Sequence, residues 1–303
     1  MSDLPPPSEP VPSSRSAVFH VSVAARTDVG QAREKNEDAF VVADLSGGTL
    51  LDGEPNARFD VGERGVLLAV SDGMGGADSG EVASALVCET LTRAFTNAEP
   101  GTPRDALMND AVQKAHLAVW DEAKSKGRKM GATLTAVFVH AGSAYIAEVG
   151  DSRAYLVRRG KITQLTKDQS MVQVLLDTGV IAKADAEHSP LKSIILQAMG
   201  NQQNLKVALA KLELRNRDAL VLCSDGLTNH VTDEEIKTHV MSMRPQQAAT
   251  KLVDLANERG GKDNITVVVA GVGGELDPAL STERVTDTFE VLTTFEPKIP
   301  SKR

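Results

Sequence analysis

The chain has 303 residues and a net charge of −8, which argues against general binding to nucleic acid or anionic membranes and leaves acidity for divalent cations to neutralise. Its 41% hydrophobic and 24% charged content fits a soluble globular protein with room for one large domain or two ordinary ones, and no apolar stretch is long enough to span a membrane. Aromatic residues, at 3%, are too sparse for base- or sugar-stacking platforms.

Residues 1–16 are rich in Pro and Ser around Pro5-Pro6-Pro7 and carry no signal-peptide core, so they read as a disordered tail. The folded part begins near Ala17, with an alternating strand from Val18 to Ala24 and a second from Ala39 to Ala43. Residues 44–65, with five glycines and several acids, read as a long hairpin loop. The apolar run Val66 to Val70 is a buried strand tipped by Ser71-Asp72-Gly73. Helical spacing follows over Ser79 to Phe95 and over Pro103 to Lys126, the second with proline in its first turn. Strands return at Thr133 to His140, Ala144 to Val149 and Ala154 to Arg158. Residues 166–205 break this rhythm, with short helical pieces around Met171 to Leu176 and Ala182 to Glu187. Val207 to Leu214 and Ala219 to Cys223 are strands again, and the latter also ends in Ser-Asp-Gly, Ser224-Asp225-Gly226. Helices over Asp233 to Met243 and Pro245 to Glu258 lead to Gly260-Gly261-Lys262-Asp263-Asn264 and the last strand, Ile265 to Val272. Residues 274–303 read as a flexible C-terminal tail, whose threonines Thr282, Thr286, Thr288, Thr293 and Thr294 are candidates for phosphorylation and kinase docking.

The order is not a βαβ alternation. It predicts an α+β fold in which two mostly antiparallel sheets pack together under helix pairs. Cys88 and Cys223 fall in apolar runs and read as reduced core residues, which points to the cytoplasm.

The chemistry gathers on carboxylates beside glycines or at strand ends: Glu37, Asp38, Asp72, Asp151, Asp225 and Asp263. A single Asp-Gly is most simply a turn. Acids that repeatedly follow strongly apolar strands are not required by turns, and clustered carboxylates repel unless cations lie between them. Oxygen donors suit Mg²⁺ or Mn²⁺, and no Cys/His spacing suggests zinc. Arg33, four residues before Glu37, is either a surface ion-pair partner or a bidentate phosphate ligand. Ser71 to Gly76 is a candidate phosphate-cradling loop, although it lacks the Lys-Ser/Thr ending of a P-loop. The scattered histidines show no triad spacing and read as structural or solvent-facing.

Taken together, the motifs resemble the metal-dependent Ser/Thr protein phosphatases of type 2C. The resemblance runs from about Ala24 to Val272. It rests on Thr27-Asp28-Val29-Gly30 through Arg33 to Asn36-Glu37-Asp38-Ala39, on Ser71-Asp72-Gly73-Met74-Gly75-Gly76, and on Gly131-Ala132-Thr133-Leu134. It continues through Val149-Gly150-Asp151-Ser152-Arg153-Ala154-Tyr155, Ser224-Asp225-Gly226-Leu227 and Asp263-Asn264-Ile265-Thr266, all in the family's order. Asp-Gly-Met-Gly-Gly is similar to the bacterial branch. The resemblance implies a four-layer α-β-β-α sandwich, with a catalytic domain over residues 17–273 and a flap over about 166–205.

It further implies hydrolysis of phosphoserine and phosphothreonine in proteins, by a metal-activated water at a centre of two Mn²⁺ or Mg²⁺ ions. Asp72 would bridge the two ions, the Gly73 carbonyl would ligate one, and Asp225 and Asp263 the other. Glu37 and Asp38 would lie close to the metals or orient their waters, Asp151 with Asp225 would hold a third, weaker ion, and Arg33 would bind the substrate phosphate. The implied partners are phosphorylated proteins and an opposing Ser/Thr kinase, with no nucleic acid or membrane, and a monomeric state. Met74 stands where some relatives place a candidate general-acid histidine, so leaving-group protonation falls to water at the metals or to another residue. Gln169, Gln197 and Asn229 replace a usual His, Arg and Asp, which bears on substrate preference. Strand-end acids alone would also fit a nuclease or a small-molecule phosphatase, and a non-enzymatic phosphoprotein binder would show a lost ligand where none is lost.

Overall fold

The structure, a computed structural model, describes residues 19–51, 53, 55–75, 79–186 and 189–297. The expected N-terminal tail, 1–16, lies outside them, as does Glu187. Strand β1 (Phe19–Asp28) belongs to one sheet, and β2 (Asp38–Asp44) and the two-residue β3 (Thr49–Leu50) form a hairpin in a second. β4 (Asn56–Asp60) crosses back to pair with β1. Residues 44–65 are therefore not one hairpin loop: they supply an edge strand to each sheet. β3 is exposed and β4 largely so, and neither carries an apolar run that the sequence pattern would register.

The second sheet continues with β5 (Val66–Gly75), then α1 (Ser79–Thr96) and α2 (Arg104–Lys126) cover its outer face before β6 (Met130–Ala132), β7 (Leu134–His140) and β8 (Ser143–Val149) rejoin it. β9 (Arg153–Arg158) and β10 (Lys161–Gln164) return to the first sheet. α3 (Met171–Asp177) and α4 (Lys183–Ala186) occupy the 166–205 segment. β11 (Ala208–Glu213) joins the second sheet and β12 (Ala219–Cys223) the first. The one-turn α5 (Asp225–Thr228), α6 (Asp233–Ser242) and α7 (Pro245–Glu258) precede β13 (Ile265–Gly274) and the edge strand β14 (Phe289–Thr293). The six-stranded sheet runs β10-β9-β12-β13-β1-β4, and the eight-stranded one runs β14-β11-β8-β7-β5-β2-β3 with β6 on β5. Every pairing between these strands is antiparallel among the described residues.

Side-chain alternation builds the four layers. On β5, Leu67 and Ala69 pack under α1 and α2 with Val87, Leu91 and Val112. Val66, Leu68 and Val70 face the other sheet and meet Leu222, Val268 and Ala270. On β13, Val267 and Val269 turn outward against Leu252, Val253 and Ile236 of α6 and α7. A central strand buried on both faces reads as a continuous apolar run, which is why these strands stand out in the sequence.

The expected flexible tail is, as far as residue 297, part of the folded body. Phe289 to Thr293 pairs along β11, and Thr293 Oγ1 donates to the Val207 carbonyl at 2.7 Å. The anchor is Arg158, 5% exposed. Its guanidinium grips Asp218 with two bonds of 2.8 and 2.7 Å, and donates to Glu283 at 3.1 Å and to Thr288 Oγ1 at 2.8 Å. Thr288 is buried, so this candidate for phosphorylation is spent on structure. Arg158→Met leaves the shielded Asp218 without its ion-pair partner and Glu283 with Arg215 alone, and we expect a loss of about 3–5 kcal/mol in urea unfolding; an unchanged midpoint would show that the anchor contributes little.

Candidate functional site

The two Ser-Asp-Gly runs are not equivalent. The first does not tip a strand: β5 runs through Ser71, Asp72 and Gly73 to Gly75, so Ser71 to Gly75 is extended chain and not a cradling loop. Asp72 is fixed by Thr133, whose Oγ1 accepts its N–H at 2.9 Å and whose N–H donates to its carbonyl at 2.8 Å. The second run does end its strand. Ser224 stands at the N-cap position of the single turn of α5, its hydroxyl engaged by Asp38 and Thr266 and not by the helix, and Asp225 is the first helical residue. Both glycines are required by close approach of main chain. A Cβ on Gly73 would sit 2.1 Å from the Gly80 carbonyl oxygen, and one on Gly226 would sit 1.9 Å from that of Asn264.

The remaining acids converge on this end of the sandwich. Asp38 opens β2 directly opposite Asp72 in the ladder, and its Oδ2 accepts from Ser224 Oγ at 2.7 Å. Glu37 lies one residue earlier; its carbonyl accepts from Gly73 N at 3.0 Å and Ser84 Oγ at 2.6 Å. Its carboxylate lies over Gly80, in the first turn of α1, where a Cβ would come within 2.6 Å. Asp151 follows the left-handed Gly150 after β8. Asp263 precedes β13, with Oδ1 accepting from Asn264 N at 2.9 Å and Oδ2 from Arg33 Nη2 at 2.8 Å.

The electrostatics confirm the convergence. Burial, then the charges of Asp38, Asp225, Asp151 and Asp263, push the Asp72 carboxyl well above the ordinary carboxylate range. Burial raises Asp38 to about 7, against hydrogen bonds that lower it, with Asp225 and Asp263 adding repulsion. Asp151 is raised to about 7 by burial, then by Asp225 and Asp168. Asp225 is raised by burial and by Asp263. Arg33 is shifted upward chiefly by Asp263, and Glu37 and Asp72 act on it in the same direction. Each acid keeps part of its surface in solvent, yet Oδ1 of Asp38 and Oδ1 of Asp225 are shielded and have no hydrogen-bond partner.

Repelling carboxylates with shielded, unpartnered oxygens fit divalent cations. Among the described residues, no three His, Cys, Asp or Glu side chains form a ready cage. The donor set that the sequence implies mixes carboxylates with the Gly73 carbonyl, and Asp263 is turned toward Arg33.

Asn264, Thr133 and Ser152 stand inside motifs already noted but carried no role in the sequence reading, and Asn229 was noted only as a departure bearing on substrate preference. Asn264 clamps the loop before β2, accepting Glu37 N at 2.8 Å and donating to the Val29 and Lys35 carbonyls at 2.9 Å. Thr133 and Ser152 exchange a 2.7 Å bond beneath Asp72, and Asn229 donates to Asp225 Oδ2 at 3.0 Å. A polar residue next to an acid and just before an apolar strand is the signal that would have found Asn264.

Comparison with known proteins agrees with this geometry. Residues 55–261 match the profile of the family Protein phosphatase 2C. The chain is 37% identical over 251 residues to the serine/threonine protein phosphatase PstP of Mycobacterium tuberculosis, covering 82% of this chain but only 44% of that protein. It is 34% identical over 250 residues to the serine/threonine phosphatase stp of Listeria monocytogenes, covering 80% and 93%. The crystal structure of the PstP catalytic domain in complex with two manganese ions aligns with a TM-score of 0.71 at 35% identity, over 84% of this chain and 99% of that one. The fold is that of the PPM-type serine/threonine phosphatases. This chain belongs to the protein phosphatase 2C family.

Proposed function

We propose that the chain hydrolyses phosphoserine and phosphothreonine in proteins at a binuclear Mn²⁺ or Mg²⁺ centre, opposing Ser/Thr kinases in signalling. The observation that carries this reading is the set of mutually repelling carboxylates, two with shielded unpartnered oxygens, on a fold whose relative PstP was solved with two manganese ions. Asp72 would bridge the two ions, with the Gly73 carbonyl, Asp225 and Asp263 as further ligands. Asp38 and Glu37 would orient waters, and Asp151 with Asp225 would hold a third ion. When bound, the two cations supply a water activated as nucleophile near neutral pH and offset charge on the phosphoryl oxygens.

This chain's own residues do the rest. Arg33 presents its guanidinium beside the cluster, half-exposed, and is placed to take two phosphate oxygens in a fork. Ser224 holds Asp38, and Thr133 holds the Asp72 backbone, so the acids are positioned before substrate arrives. Met74 cannot donate a proton, so the alcohol leaves by taking one from solvent or from another side chain.

A phosphothreonine peptide is expected to be hydrolysed with Mn²⁺ and spared with EDTA; full activity in EDTA would sink the reading. Faster cleavage of DNA or nucleotides than of phosphopeptides in the same assay would favour the other two-metal hydrolases. Arg33→Ala is expected to lower kcat/KM by about 10- to 100-fold, on the scale of about 1.5–3 kcal/mol for a hydrogen bond to a charged group; unchanged kinetics would remove Arg33 from substrate binding. We place the enzyme in the cytoplasm, because Cys88 and Cys223 are free and buried, as reduced core thiols are.

A further inference from the structure

β8 sends alternate side chains into two layers. Ala147 and Val149 pack toward α1 and α2, and Ile146 faces the interior between the sheets. By the same alternation Glu148 faces that interior too, near its open end. A carboxyl group there is out of keeping with its surroundings. Glu148 is 3% exposed. Its Oε2 accepts the Lys167 N–H at 2.8 Å, and its Oε1 is shielded from solvent with no hydrogen-bond partner. Opposite Glu148 and Ile146 in the ladder stand two small residues of β11, Ala208 and Ala210. They leave room, and a cavity of about 270 Å³ opens beside them, with Glu148, Ile146, Leu165, Val174, Phe289 and Phe295 in its wall.

We propose that this cavity binds a small, mostly apolar molecule carrying one hydrogen-bond acceptor, which takes a hydrogen bond from the Glu148 carboxyl group. An apolar cavity of roughly 150 Å³ already holds benzene, so this one has space for a substituted ring. Burial pushes Glu148 well above the ordinary carboxylate range, which favours its uncharged form in this apolar layer. With Oε2 engaged by Lys167, the proton sits on Oε1 and needs an acceptor. A neutral ligand oxygen supplies one without bringing net charge into an apolar layer.

The site also touches the acidic centre through a short chain of bonds. Gln169 Nε2 donates to the Glu148 carbonyl at 3.1 Å, and Gln169 Oε1 accepts from Gly150 N at 3.0 Å, one residue before Asp151. Gln197 Nε2 donates to the same Oε1 at 2.9 Å. The two glutamines that set this chain apart from the usual family pattern therefore link the cavity wall to the turn that carries Asp151.

The test uses acetophenone and its near-isostere α-methylstyrene, which lacks the acceptor, titrated into the full chain by NMR. Acetophenone is expected to bind saturably and about three- to tenfold more tightly, the range that one net hydrogen bond gives. Glu148→Leu is expected to erase that preference, Glu148→Gln to retain it through the amide N–H, and Ala210→Phe to abolish binding of both probes by filling the cavity. Absence of saturable binding, equal affinity for the two probes, or undiminished binding to Ala210→Phe would overturn the proposal. Should Glu148→Leu fail to fold, the wild-type preference and Ala210→Phe decide the matter.

Discussion

Asp72→Asn is expected to lower kcat/KM for a phosphothreonine peptide at saturating Mn²⁺ by at least about three orders of magnitude, equivalent to about 4 kcal/mol of transition-state stabilisation. The substitution keeps the shape of the side chain and leaves its backbone bonds to Thr133 in place. It removes the charge that Asp38, Asp225, Asp151 and Asp263 all repel. Two readouts should therefore move in opposite directions. Activity falls, while the melting temperature of the metal-free protein holds or rises. The further rise on adding Mn²⁺ should shrink, because the proposed bridge has lost its anionic oxygen. A variant that stays active, or one that loses stability without metal, would remove Asp72 from the role proposed for it.

Stripping divalent cations is expected to make the protein less stable as pH rises. Asp38 and Asp151 titrate at about 7 in the folded chain, against an ordinary 3.8. Between those values the folded state binds more protons than the unfolded state, so stability falls as pH rises through that window. The contribution is fully present below about pH 4 and gone above about 7, and Asp72, raised by burial and by the same neighbours, adds to the decline. For Asp38 alone, three decades of proton affinity set a ceiling of about 4 kcal/mol, lowered by the solvent that reaches part of the residue. On the proposed ligand set, saturating Mn²⁺ would hold the carboxylates ionised in the folded state and should flatten or reverse the slope. Urea midpoints at pH 5, 6, 7 and 8, in EDTA and in Mn²⁺, decide it. A chelated midpoint that does not fall from pH 5 to pH 8 would mean that burial and mutual repulsion do not raise these carboxyl groups as the structure places them.

What the sequence made legible follows from burial. β5, β12 and β13 are buried on both faces, so they show as unbroken apolar runs, and the Asp-Gly closing the run of β5, the Asp-Gly after β12 and the Asp-Asn before β13 draw the eye to the site. β3, β4 and β14 are short edges with largely exposed side chains, and no periodicity separates them from loop. The tail was misread for a second reason. Its hold on the body combines half-buried packing of Leu276, Val285 and Phe289 with polar bonds centred on Arg158, which lies 125 residues from Glu283 in the chain, and sequence spacing carries no sign of such a pair. Arg33 and Asp263, 230 residues apart, are the same case at the site: each was noticed for its own motif, but their direct bond was not foreseeable. The echo of Ser-Asp-Gly was visible, whereas its asymmetry, mid-strand in one copy and helix-opening in the other, depends on β6 arriving to pair with Gly73, Met74 and Gly75.

Gly226 has a consequence for how the acidic centre keeps its dimensions. With only hydrogen on its α-carbon, the main chain at the start of α5 lies directly against the Asn264 carbonyl, with no room for a methyl group between them. Asp225 precedes one of these contacting residues and Asp263 precedes the other. The spacing of the two main-chain segments that carry these acids is thus set by backbone against backbone, as a feeler gauge sets a gap, while Arg33 and Asn229 orient the carboxylates themselves. Changes elsewhere in α6, α7 or the first sheet can alter stability without altering that spacing, whereas any larger residue at position 226 must widen it.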